Sequence, residues 1–195
     1  MSNGTKILAL AGSARADSHN VRLLPILAQG ARSEGAEVTI LNMRDYPLPV
    51  FDEDVEARGR PENASKLKQL FLDHHGLLIA SPEYNSSVTP LLKNTIDWVS
   101  RPDEGEPILA AYRDKVAGIV AASPGGLGGL RGLVHLRAIL SNIGVTVLPK
   151  QIAISQAFQA FDDQGNLTDQ KQQQTVLGIG AAVAKVTHQL RLGAC

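Results

Sequence analysis

Apolar positions along the chain fall into two alternating kinds of segment. Five short runs are bounded by turn residues: Lys6–Ala11, Glu37–Leu41, Gly76–Ser81, Lys115–Ala122 and Val145–Leu148. The first, third and fourth are apolar almost continuously, the pattern of parallel strands covered on both faces. Between them, apolar residues recur at helical spacing and predict helices over Asn20–Glu34, Ala64–His74, Thr89–Val99, Arg131–Ile143 and Gln170–Leu192. Strands alternating with helices imply right-handed crossovers and a doubly wound α/β sheet. Pro25 falls in the early turns of the first helix and removes a backbone donor, so that helix is either kinked or irregular in its first turn. The long connection Asp45–Pro61 reads either as a functional loop or as an excursion from the fold. With no repeat, low-complexity tract or linker, residues 1–195 are expected to form a single domain.

Ligands of open parallel sheets bind beyond the carboxyl ends of the strands, and there the sequence becomes unusual. The first strand is followed by Gly12-Ser13-Ala14-Arg15-Ala16-Asp17-Ser18-His19-Asn20 and a helix. Glycine and small hydroxylic residues let backbone amides approach an anion, and the helix N-terminus adds a positive dipole end. Arg15 brings a permanent charge for a phosphate monoester; Ser13, Ser18 and Asn20 bring side-chain donors. The competing reading is a helix capped by Ser18 or Asn20, worth about 1 kcal/mol, beside a solvated Arg15. His19 adjoins this loop and either contributes to it or, as the plainer expectation, is solvated. The loop lacks both the Gly-x-Gly-x-x-Gly of dinucleotide folds and the Gly-Lys-Ser/Thr of triphosphate loops, so a terminal monophosphate suits it better than a pyrophosphate.

The third strand leads into Pro82-Glu83-Tyr84-Asn85, where Tyr84 offers a flat ring to flank a planar cofactor. The same stretch also reads as a turn before a helix that starts at Pro90. The fourth strand leads into Ser123-Pro124-Gly125-Gly126-Leu127-Gly128-Gly129, with four glycines in seven residues. Glycine permits close passage of backbone past a ligand, or simply a flexible loop. Taken together, the three loops describe a phosphate end, a planar ring and a backbone wall, which is what FMN presents.

Composition narrows the function classes. Lys plus Arg and Asp plus Glu are 19 each, which argues against broad binding to nucleic acid or to anionic membranes. The single cysteine, Cys195, has no partner within the chain, and neither it nor the histidines show metal-ligand spacing, so no metal is expected. The amino-terminal residues lack a signal pattern, and a cytoplasmic protein is the economical reading. No nucleophile-and-base constellation is evident.

These motifs resemble the NADPH-dependent FMN reductase family, which includes bacterial chromate and quinone reductases. The resemblance rests on Gly-Ser-x-Arg-x-x-Ser-x-Asn at 12–20, Pro-Glu-Tyr-Asn at 82–85 and Ser-Pro-Gly-Gly at 123–126, and extends to Lys93–Trp98 and Ser100-Arg101-Pro102. It implies a flavodoxin-like, doubly wound three-layer sandwich with a five-stranded parallel sheet in the order 2-1-3-4-5, and FMN bound non-covalently. By the resemblance, Ser13, Arg15, Ser18 and Asn20 hold the phosphate, and Pro82, Glu83, Tyr84 and Asn85 border the ribityl chain and ring. Ser123, Gly125 and Gly126 lie against the ring system. The implied reaction passes hydride from NADPH or NADH to FMN and then electrons to a small-molecule acceptor: a quinone, chromate, an azo compound or a flavin. The cofactor carries that chemistry, and no catalytic side chain is expected. A homodimer or homotetramer is implied, with Arg101 either near the contact or simply a surface arginine beside a proline loop. Arg58, Arg60 and Arg113 are the arginines considered for reading the 2′-phosphate of NADPH. Two other readings are an electron carrier of the same fold and a flavin-binding regulatory protein. Such carriers are usually strongly acidic, and the zero formal charge counts against that reading.

Overall fold

Alternate side chains of a parallel strand point to opposite faces, so a strand apolar at every position must be covered twice. Lys6–Ala11 (β1) is such a strand: Ile7, Ala9 and Ala11 enter one apolar layer, and Leu8 and Leu10 enter another. In the computed structural model, which describes residues 4–193, the chain continues through α1 (His19–Ser33), β2 (Glu37–Leu41), α2 (Glu53–Ala57) and α3 (Glu62–Asp73). It then forms β3 (Gly76–Ala80), α4 (Pro90–Ser100), β4 (Val116–Ala122) and α5 (Leu130–Asn142), and ends with β5 (Thr146–Val147), β6 (Ile152–Ile154) and α6 (Gln170–Gly193). Cys195 and Met1–Asn3 lie outside the described residues.

The sheet is parallel in the order β2-β1-β3-β4-β5, with Ile7 opposite Val38 and Gly76, and Gly76 opposite Val116. This is the flavodoxin-like order. The fifth position is shared by two short strands. β5 pairs the start of β4 (Val116↔Thr146) and β6 pairs its end (Val120↔Ile152). Pro149, which has no amide hydrogen, lies between them. Helices α1 and α6 cover one face, and α3, α4 and α5 the other. The α1–α6 crossing is close: a Cβ on Gly30 would lie 2.0 Å from the Leu177 carbonyl oxygen, and one on Gly180 as near that of Leu27.

Helix α1 runs through Pro25, whose exposed position leaves the unpaired carbonyl one turn earlier within reach of water. The 45–61 connection is held down rather than free. Pro49 accepts from Asn94 (2.8 Å) and from the Trp98 indole (2.9 Å), and Arg101 Nε donates to Glu56 at 2.8 Å. Arg60 donates to Asp103 at 2.5 Å, and buried Lys68 pairs with Asp103 and Glu106. Arg101, expected near a subunit contact, is thus engaged within the chain. Among the described residues, no helix is long and apolar enough to cross a membrane, and no group of three or more His, Cys, Asp or Glu is placed to hold a metal.

Candidate functional site

At the carboxyl ends of β1, β3 and β4, three loops enclose a cleft of about 120 Å³ lined by Ser13, Arg15, Ser18, His19, Asn20, Pro82, Glu83, Tyr84, Ala122, Ser123 and Pro124. Eight of the eleven residues expected at the site line it. Asn85, Gly125 and Gly126 do not; the two glycines are exposed just beyond Pro124 at its rim.

The first loop is held by the backbone around it. Gly12 donates to Ala80 (2.9 Å), and the Thr89 hydroxyl donates to the Gly12 carbonyl (2.6 Å) while accepting from Leu92 to cap α4. Within the loop, the Arg15 amide donates to the Ser13 hydroxyl at 3.2 Å and the Ser18 amide to the Arg15 carbonyl at 3.2 Å. The chain then enters α1 without a side-chain cap, and the first hydrogen bond of the helix runs from Arg22 to Ser18. The amides of His19, Asn20 and Val21 are left as open donors beside the positive dipole end.

Asn20 differs from expectation. Its Nδ2 donates to the Ala122 carbonyl (2.8 Å) and its Oδ1 accepts from the Ala122 amide (3.0 Å). The side chain is a buried bracket between α1 and the end of β4, which commits its oxygen and one of its two amide hydrogens. His19 differs in the opposite sense. It is half-buried rather than solvated, its ring stacks on Phe161 at 6.4 Å, and its buried Nδ1 has no partner. Burial chiefly, then Arg15 and Arg22, hold the imidazole below its ordinary value. The Arg15 guanidinium is exposed and has no acceptor among the described residues.

The second loop closes as a tight turn. Tyr84 and Ser87 exchange both backbone hydrogen bonds at 3.0 Å, and Asn85 and Ser86 between them have φ of 49° and 66°, as a type I′ turn requires. This presents the Tyr84 ring, 54% exposed, at the mouth of the cleft. Glu83 lines the cleft, but its carboxylate is already committed. Its carboxylate accepts from Arg131 Nη2 (2.6 Å) and Nε (2.8 Å) and from the Gly132 amide (3.1 Å). Burial would raise this carboxyl, but the Gly132 amide and Arg131 hold it below the ordinary value. The pair ties the second loop to the start of α5, and sequence gave no sign of Arg131, which stands 48 residues away.

In the third loop, two of the glycines serve the turn. Gly129 has φ of 100°, and a Cβ there would lie 2.7 Å from that of Ala121. Gly125 and Gly126 have open space around them, and the Gly125 amide donates to the Ser123 hydroxyl at 3.3 Å.

The cleft therefore offers an unpaired cation, uncapped helix amides and a buried unpaired imidazole nitrogen at one end, and an exposed aromatic face and open glycine backbone at the other. That donor set fits a phosphate monoester joined to a planar ring, as FMN requires.

Comparisons with known proteins agree. The pattern of the NADPH-dependent FMN reductase family matches residues 5–159. An NAD(P)H-dependent FMN reductase of Pseudomonas aeruginosa is 37% identical over 177 residues, covering 90% of this chain and 91% of that protein. An NAD(P)H:quinone oxidoreductase of Solanum tuberosum is 33% identical over 194 residues, covering 97% and 96%. Among solved structures, the flavoenzyme NAD(P)H:(acceptor) oxidoreductase FerB of Paracoccus denitrificans superposes with a TM-score of 0.79 at 27% identity, covering 95% of this chain and 98% of that one.

Proposed function

The chain belongs to the NADPH-dependent FMN reductase family, and on that premise we propose that it holds FMN in the cleft at the carboxyl ends of β1, β3 and β4 and reduces a quinone at the expense of NAD(P)H. The observation that carries the proposal is the set of uncommitted donors in the first loop facing an exposed aromatic ring across the same cleft. Bound FMN supplies the two-electron chemistry between nicotinamide and acceptor.

The residues of the chain bind and orient. Arg15 and the open amides of α1 hold the phosphate, with the Ser13 and Ser18 hydroxyls beside them. Pro82 and Tyr84 flank the ribityl chain and ring, with Asn85 at the tip of the turn, and Ser123, Gly125 and Gly126 form the wall opposite. Glu83 positions that wall through Arg131, and Asn20 fixes the helix start against β4. Backbone amides of the third loop would stabilise the negative charge that grows on the ring's polar edge.

A quinone is the preferred acceptor because relatives bear that name; chromate, azo compounds and free flavin are the other small molecules an open ring face admits. Arg60 is taken up by Asp103, and Arg113 lies at the other end of the sheet, which removes both as readers of an NADPH 2′-phosphate. The proposal takes residues 1–195 as one FMN-binding domain, since both apolar layers pack on the same sheet, acting in the cytoplasm where reduced nicotinamides are available. It also includes a homodimer or homotetramer, supported by the exposed Leu127, Leu130 and Val134 beside the cleft.

An anaerobic absorbance titration of the FMN-loaded chain with NADPH, then with NADH, tests the reaction. Rapid bleaching of the flavin band, reversed by a quinone, is the expected result. A bound flavin that neither nicotinamide bleaches would transfer the chain to the carrier or regulatory class.

A further inference from the structure

At the opposite end of the sheet, the α3–β3 junction and the starts of β4 and β5 meet the last turns of α6 around a cavity of about 550 Å³, larger than the cleft. That volume lies within the range of small-molecule sites, and no part of the proposed reaction uses it. Leu72, Val116 and Leu190 give it apolar walls. The polar part of the lining is cationic in excess. Arg113 is exposed and has no acceptor among the described residues. Lys115 is buried, donates to the His74 carbonyl and makes no ion pair among the described residues. Arg191, engaged with the Gly4 carbonyl at 2.7 Å, and the exposed carboxylate of Asp114 complete the charged lining.

Lys115 is an independent sign of a missing partner. It is 6% exposed, it lines the cavity, and its ammonium, which donates to the His74 carbonyl, meets no carboxylate in an ion pair among the described residues. A buried cation is costly unless paired, and an anion in the adjoining cavity supplies the pair.

We propose that this cavity is a second ligand site, distinct from the FMN cleft, that takes a small organic anion. The apolar body of the ligand packs against Leu72, Val116 and Leu190, and its carboxylate, sulfonate or phosphate group meets Arg113 and Lys115. Arginine suits such a group because its planar fork matches two oxygens at once.

The site has its own pH dependence. Burial lowers the Lys115 amine to about 8, against the opposing influence of Asp114 and Asp73. Arg113 and Arg191 remain charged around it, and His74 and His75 face it from the α3–β3 junction. Anion affinity therefore falls as pH rises through about 8, where Lys115 loses its proton.

Titration of the FMN-saturated chain with 8-anilinonaphthalene-1-sulfonate, followed by fluorescence and calorimetry, tests the proposal. One probe per chain should bind and be displaced by benzoate. Arg113→Ala, an exposed change that leaves the core intact, should weaken binding by about tenfold, as the loss of a charged hydrogen bond implies, and Lys115→Met should weaken it and remove its fall as pH rises through about 8. Arg15→Ala should leave the probe's affinity unchanged. Absence of binding, or binding that ignores Arg113 and Lys115, overturns the proposal; sensitivity to Arg15 alone would locate the probe in the FMN cleft and overturn it equally. Failure of the chain to load FMN would count against the proposed function and leave the comparison among these variants as decisive as before.

Discussion

Arg15 and His19, four residues apart in sequence, differ in their surroundings: the first is exposed and the second half-buried. The guanidinium has no carboxylate to lose, so Arg15→Ala should leave the ligand-free fold untouched. FMN affinity should fall about 10- to 100-fold, the value of a charge-assisted hydrogen bond, and a flavin-fluorescence titration measures it. His19 couples the same cleft to pH. Its folded-state value is lowered by burial and by two arginines, so the unfolded chain takes up a proton more readily. Stability of the ligand-free protein is therefore lost as pH falls through about 6.5, the ordinary value for histidine. Urea midpoints at pH 7.5 and 5.5 should drop more for the natural chain than for His19→Gln, and a phosphate-bearing ligand should narrow the difference. Residue type and spacing picked out Arg15 as a candidate phosphate partner, and its exposed side chain lines the cleft. They did not show what the side chains of Asn20 and His19 touch, because Ala122 and Phe161 lie more than a hundred residues away.

Among the elements, those with a strong apolar rhythm were legible and those held by tertiary contacts were not. The fully covered strands β1, β3 and β4 announce themselves by continuous apolar runs, and the helices that cover them follow from their spacing. Helix α2 carries no such signal: Glu53–Ala57 buries nothing, and its place is set by the pairing of Glu56 with Arg101. Strand β6 is three residues long and exists because it continues the sheet position that β5 begins. The third loop shows the same division within a single motif, since Gly125 and Gly126 are open while Gly129 is structural. Gly129→Ala forces a left-handed residue and a 2.7 Å contact with Ala121, and should cost about 2–4 kcal/mol in urea denaturation. Gly126→Ala, with nothing within 4 Å of the added carbon, should cost well under half of that. Glu83→Gln removes the charge that meets Arg131 and the α5 amide, and should lower FMN affinity several-fold through the loosened wall. A change in protein stability without a change in FMN affinity would deny Glu83 its positioning role.

At the scale of the whole molecule, one parallel sheet separates two kinds of chemistry. Its carboxyl end gathers the loops of β1, β3 and β4 around a cleft with open donors and an aromatic face, as the crossover rule for such sheets requires. Its amino end gathers arginine and lysine around the larger cavity. The first of these was readable before the fold was known, because strand order follows from alternation and the unusual loops all fall on the same edge. The second was not, since His74, Lys115 and Thr187 come from three distant segments with no shared motif. The central claim is that the cleft is built for a flavin bearing a terminal phosphate, and parallel titrations of the ligand-free chain with FMN and riboflavin test it most directly. The account predicts one FMN per chain, with riboflavin bound at least about tenfold more weakly because the arginine and the helix amides then have nothing to hold. Equal affinity for the two flavins, or no binding of either, would contradict it.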